Sequence, residues 1–118
     1  MTQVAVYGTL RQRDSRAGAL SSATFKGMAR LPSNIALFDY GAFPFIKEVD
    51  EPVENQVVCE VYDDIDAGTL RLLDSIEGHP RFYERRLVSI QGHGDCWVYF
   101  LDSGDGPQIT SGDWHERG

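Results

Sequence analysis

The chain has 118 residues, a mass of 13.2 kDa, and 42% hydrophobic and 11% aromatic residues. Size scaling gives roughly 6,400 Å² of folded surface against about 19,100 Å² unfolded, so a core can form without disulfide or metal staples. Residues 1–118 therefore read as one soluble domain, and an intrinsically disordered chain is excluded. Lys+Arg number 11 against 18 Asp+Glu, for a formal charge of -7 and a pI near 4.8. That balance disfavours nucleic acid and anionic membranes as partners, because binding phosphate needs clustered cations.

In chain order, the first apolar run is Val4–Tyr7. It has neither the basic n-region nor the long apolar h-region of a signal peptide, and no run approaches membrane-spanning length, so the expected compartment is the cytoplasm. Further strands are predicted at Ala23–Leu31, Ile35–Phe38, Phe43–Ile46, Val57–Tyr62, Tyr83–Ile90 and Cys96–Leu101. Gly27 marks a bulge or bend inside the second. Tyr40-Gly41 and Gly92–Asp95 are turn signals, the latter closing a hairpin between the last two strands. Cys96–Leu101 is apolar on both alternate faces and is expected to be covered on both sides. A weak helical stretch falls near Arg16–Leu20. One strong helix starts from Asp64 or Asp66 as cap and stops at Gly78-His79-Pro80. The pattern predicts an α+β fold: a small mixed or antiparallel β-barrel with one or two flanking helices. Cys59 and Cys96 lack metal-ligand spacing and read as small buried hydrophobes in a reducing compartment, with one disulfide as the alternative.

The strong helix carries a misplaced acid. At 100° per residue with Leu70 at zero, Arg71, Asp74 and Ser75 fall between about 40° and 140°, the predicted solvent face. Ile65, Thr69, Leu72, Leu73 and Ile76 fall between about 200° and 300°, the predicted core face. Glu77 falls near 340°, between Leu73 and Leu70, and beside the free carbonyls of the helix C-terminus. Apolar neighbours and that negative dipole should both raise its pKa, which suits proton transfer near neutral pH. The competing reading ends the helix before Glu77, leaving it exposed or paired with Arg81 or Arg85.

A second segment, Val6-Tyr7-Gly8-Thr9-Leu10-Arg11, takes the first strand into a glycine turn whose N–H groups can approach a ligand. Taken alone it is equally an ordinary strand end. Together with C-E-V-Y-D at 59–63 and L-L-D-S-I-E-G-H-P-R-F-Y-E-R-R at 72–86, it resembles the gamma-glutamylcyclotransferase-like family. W-V-Y-F at 97–100 and S-G-D-W at 111–114 are similar to its short bacterial members, and the 72–86 pattern to the gamma-glutamylamine cyclotransferase branch.

The resemblance implies a small β-barrel with a cavity at one end, and a cofactor-free, metal-free enzyme acting on a small-molecule gamma-glutamyl substrate. Its reaction converts a gamma-glutamyl amide or amine conjugate to 5-oxoproline by attack of the substrate's own α-amine on its γ-carbonyl. The family's acid/base glutamate falls on Glu77. Its substrate loop falls on Tyr7, Gly8, Thr9 and Leu10, and a pocket-wall tyrosine on Tyr83. Two alternatives stand beside this. One is a non-catalytic small-ligand module on the same fold; the other is an amidohydrolase in which Glu77 activates water.

Other polar residues read as structure. Glu60 lies mid-strand and is expected to pair with an arginine on a neighbouring strand, with the cavity as its alternative destination. His79, His93 and His115 fall in turns or the tail without ligand spacing. No G-x-S-x-G elbow occurs. Asp113-Trp114 is expected to pin the C-terminal tail to the body.

Overall fold

Unbroken apolar runs bury both faces of a strand, and the first of them here becomes the centre of the sheet. In the computed structural model, which describes residues 2–12, 14 and 16–116, β1 (Thr2–Val6) pairs antiparallel with β5 (Val58–Ile65) and parallel with β7 (Gly94–Phe100). β2 (Thr24–Arg30) flanks β5 and β6 (Glu84–Ile90) flanks β7, both antiparallel, giving the order β2-β5-β1-β7-β6. β3 (Ile35–Asp39) and β4 (Pro44–Glu48) form a separate hairpin. α1 spans Ala67–Glu77, and 3-10 turns cover Ala17–Leu20 and Trp114–Glu116. The accessible surface is 6363 Å², as the size scaling requires.

Side-chain alternation along β1 divides the core in two. Ala5 and Tyr7 join Leu31, Leu37, Ile46, Cys59, Val61, Cys96 and Val98 on the face covered by the β3–β4 hairpin and the C-terminal segment. Val4 and Val6 join Tyr62, Ile65, Leu73 and Tyr99 on the face covered by α1. β7 is covered on both sides, as its composition predicts, with Val98, Tyr99 and Phe100 all buried. The bulge at Gly27 is present, with φ +121° and a register shift against β5. The stretch at Arg16–Leu20 is a single 3-10 turn rather than an α-helix.

The expected barrel is not closed. The β3–β4 hairpin meets the end of β7 through the Leu101 N–H donating to the Ile46 carbonyl at 3.1 Å, and it meets the tail through Ile109 donating to Leu37 at 2.8 Å. β2 and β6 keep one unpaired edge each. β2 and β6 do not pair, so the sheet curls without closing, and the hairpin covers one of its faces.

Both ends of α1 are made by the residues that the sequence marks. Asp66, the second of the two candidate caps, accepts the Thr69 N–H at 2.7 Å, and Gly78 closes the helix in the left-handed region at φ 68°. The His79-Pro80 bond that follows is cis. No helix among the described residues is long and apolar enough to cross a membrane.

Candidate active site

α1 turns a different face to the sheet from the one expected. Leu73 is fully buried at the centre of the contact, with Leu70, Ile76 and Glu77 around it, while Leu72 is 48% exposed. Asp74, expected in solvent, is half-buried. Its carboxylate accepts Arg85 Nε at 2.8 Å and the Tyr99 hydroxyl at 2.7 Å. Burial alone would raise the Asp74 pKa, but these donors hold it below the ordinary value. This pair moves the contact centre toward Asp74, because a buried phenol and guanidinium both need an acceptor on that side of the helix. It also commits Arg85 to Asp74, so Arg85 is not the partner of Glu77.

Glu77 is the last helical residue and faces a cavity of about 130 Å³. Burial pushes its carboxyl up to about 7, with Arg16 drawing it partly back. Arg16 and Glu77 are the only charged groups lining that cavity among the described residues.

The wall facing Glu77 includes the Tyr7–Leu10 turn. Gly8 is required there by close approach, because a Cβ would lie 2.5 Å from Pro44 Cγ at the start of β4. The turn is held by Arg11 N–H donating to the Gly8 carbonyl at 3.0 Å and Arg16 N–H donating to the Thr9 carbonyl at 2.8 Å. The N–H groups of Gly8, Thr9 and Leu10 have no acceptor among the described residues. The proline ring cannot swing aside, so Gly8→Ala is expected to cost about 1–3 kcal/mol of stability by overpacking. Exposed Gly18, which has open space around it, gives the control: thermal denaturation should show a clear loss for Gly8→Ala and almost none for Gly18→Ala.

Three tyrosines complete the wall. The Tyr7 hydroxyl donates to the Tyr99 carbonyl at 2.5 Å, and the Tyr83 hydroxyl to the Pro44 carbonyl at 2.5 Å. Burial raises the pKa of Tyr7, Tyr83 and Tyr99, with the Glu77 charge adding to it for Tyr7 and Tyr83 and the Asp74 carboxylate for Tyr99, so all three remain neutral donors. Tyr83 and the four loop residues thus line one cavity with Glu77. Arg16, Phe43, Pro44, Phe82 and Tyr99 line it too; Phe43 and Tyr99 are among the aromatic residues that the sequence reads as core and pocket wall, with Trp97, Phe100 and Phe45, whereas Arg16, Pro44 and Phe82 are not so read.

Behind the turn lies a buried ion cluster. Arg11 Nε donates to Glu60 Oε2 at 3.0 Å, and Arg11 Nη1 to Asp113 Oδ1 at 2.6 Å. Glu60 Oε1 accepts the Gln12 N–H at 2.8 Å and the Tyr62 hydroxyl at 3.1 Å. Glu60 is therefore paired with arginine as expected, but the arginine comes from the turn after β1 rather than from a neighbouring strand. The tail is pinned as expected: Asp113 holds Arg11, and Trp114 is buried in the core. Cys59 and Cys96 are free thiols on strands separated by β1, and burial pushes them up to about 12 and about 11. No three His, Cys, Asp or Glu side chains converge on a metal-sized site among the described residues.

A family model, "Gamma-glutamyl cyclotransferase, AIG2-like", matches residues 4–116. The chain belongs to this family. A Methanocaldococcus jannaschii protein, provisionally named as a gamma-glutamylcyclotransferase, is 32% identical over 121 residues, covering 98% of both chains. The crystal structure of an uncharacterized Pyrococcus horikoshii protein superposes with a TM-score of 0.82 at 26% identity, covering 98% of this chain and 92% of that one. That of a mouse AIG2-like protein gives 0.76 at 24% identity over 94% of this chain and 87% of that one, a likeness of fold. The mixed α+β architecture with one helix on a curled sheet is thus the gamma-glutamyl cyclotransferase-like fold.

Proposed function

We propose that this chain is a cytoplasmic, cofactor-free gamma-glutamyl cyclotransferase that releases 5-oxoproline from a gamma-glutamyl amide or amine conjugate, with Glu77 as its acid/base. One observation carries the reading. A carboxyl group whose proton affinity sits near neutrality shares a cavity with a turn whose Gly8, Thr9 and Leu10 N–H groups have no acceptor among the described residues.

The substrate's α-ammonium passes a proton to the Glu77 carboxylate, and the freed amine attacks the γ-carbonyl carbon. A new C–N bond forms as the carbonyl π pair moves onto oxygen. Collapse of this intermediate breaks the bond to the leaving nitrogen, which takes the proton from Glu77. A second transfer through the same carboxylate moves the surplus ring-nitrogen proton to the departing amine. The products are 5-oxoproline and a protonated amine, so atoms and charge balance. The five-membered closure is intramolecular, and the protein's task is to hold the folded conformer. The Gly8–Leu10 N–H groups supply fixed donors to the glutamyl part, and Tyr7 and Tyr83 wall it in.

The deciding experiment is mass-spectrometric product analysis with a panel of gamma-glutamyl amino acids and amines. Release of 5-oxoproline is the expected result. Glutamate as product would replace the reading with an amidohydrolase, and saturable binding without any product would replace it with a binding module. The pH dependence is a separate expectation. Only the carboxylate form of Glu77 accepts the first proton, so kcat/KM should fall as pH drops below about 7. A chemistry-limited profile that stays flat from about pH 4 to about pH 7 would count against that role.

A further inference from the structure

Three rings stand together beside the cavity. Tyr40 follows β3 and Phe43 precedes β4 across the hairpin turn, while Phe82 lies between α1 and β6. Their ring centroids are 5.1 Å apart for Tyr40–Phe43, 6.0 Å for Tyr40–Phe82 and 6.2 Å for Phe43–Phe82. Phe43 and Phe82 line the same cavity as Glu77, yet Tyr40 is 45% and Phe82 43% exposed. Two segments distant in sequence thus converge to present aromatic surface to solvent at the edge of a cavity. Neighbouring exposed apolar side chains at such a place mark a binding surface more often than a packing remnant.

The charges lining the cavity say which part of a substrate the rings would meet. A gamma-glutamyl group is a zwitterion: its ammonium answers Glu77, and its carboxylate answers Arg16, with the N–H groups of the turn as further donors. Both lining charges are then used by the glutamyl end, and what extends past Glu77 meets rings. We propose that Tyr40, Phe43 and Phe82 form the subsite for the leaving group, and that the preferred substrates release an amine with an aromatic or long alkyl body. This rests on the cyclotransferase reading for the orientation of the bound glutamyl group.

The test separates the two. Glu77→Gln protein, expected to bind without turnover, is titrated calorimetrically with gamma-glutamyl-phenethylamide and gamma-glutamyl-ethylamide, which share everything except the ring. Burying a phenyl ring against these aromatics should make the phenethylamide bind about tenfold or more tightly. Phe82→Ala in the same background should remove most of that ratio, because the phenethylamide loses far more affinity than the ethylamide. Tyr40→Ala, at a hairpin tip, gives a second variant should Phe82→Ala fail to fold. Equal affinity for the two amides, or a ratio that survives truncation of the rim, overturns the subsite. A tenfold ratio from a protein whose wild type releases no 5-oxoproline would instead keep the subsite and sink the cyclotransferase reading.

Discussion

Glu77→Gln is expected to reduce turnover by about 10²–10⁴-fold while raising the stability of the folded protein at pH 8. The two effects have one cause. Burial raises the folded pKa of Glu77 to about 7 from an ordinary value of 4.5. Between those two pH values the folded state keeps a proton that the unfolded chain has released. Stability therefore falls as pH rises through this window, and the full penalty, at most about 3 kcal/mol, is present above it. Glutamine is neutral at every pH and escapes the penalty. Thermal denaturation should thus find Glu77→Gln more stable than wild type at pH 8 and level with it near pH 4. A variant that is less stable at both pH values would mean that the carboxylate is held by favourable contacts and has no raised proton affinity. Undiminished 5-oxoproline release would remove Glu77 from the chemistry.

Arg11→Met is expected to be the most damaging single change outside the cavity, costing about 3–5 kcal/mol. Arg11 is 4% and Glu60 3% exposed, so the substitution strands a buried carboxylate to which, among the described residues, only the Gln12 N–H and the Tyr62 hydroxyl then donate. Asp113 loses its arginine too, which removes one of the ties between the tail and the turn and leaves the His115–Asp14 pair. The arrangement predicts strong coupling rather than additive losses. The triple variant Arg11→Met, Glu60→Gln, Asp113→Asn has no uncompensated charge and should recover much of the stability in urea denaturation. Should the triple variant be as unstable as Arg11→Met alone, the ion cluster would not be the source of the loss. Recovered stability without recovered KM would further show that the cluster sets the shape of the Tyr7–Leu10 turn.

The local elements were legible because their determinants are local. The cap at Asp66, the left-handed Gly78, the bulge at Gly27 and the alternating faces of β1 all follow from rules that span a few residues. The motif pairing Val6–Arg11 with Leu72–Arg86 was enough to reach the family, since order and spacing survive in one dimension. What failed was orientation. Leu72 was placed inside and Asp74 outside, because helical periodicity knows the spacing of apolar residues and nothing of the Arg85 and Tyr99 partners waiting on the sheet.

Taken alone, then, the sequence determined the strands, the helix and its ends, the inward angle of Glu77, and the family. Tertiary structure decided that the sheet stays open, that Glu60 takes its arginine from a turn, and that Arg16 and three distant aromatic rings gather around the cavity of Glu77. Those features depend on contacts between residues tens of positions apart. Such contacts form only when the burial of two separate cores fixes where each element lies on the others.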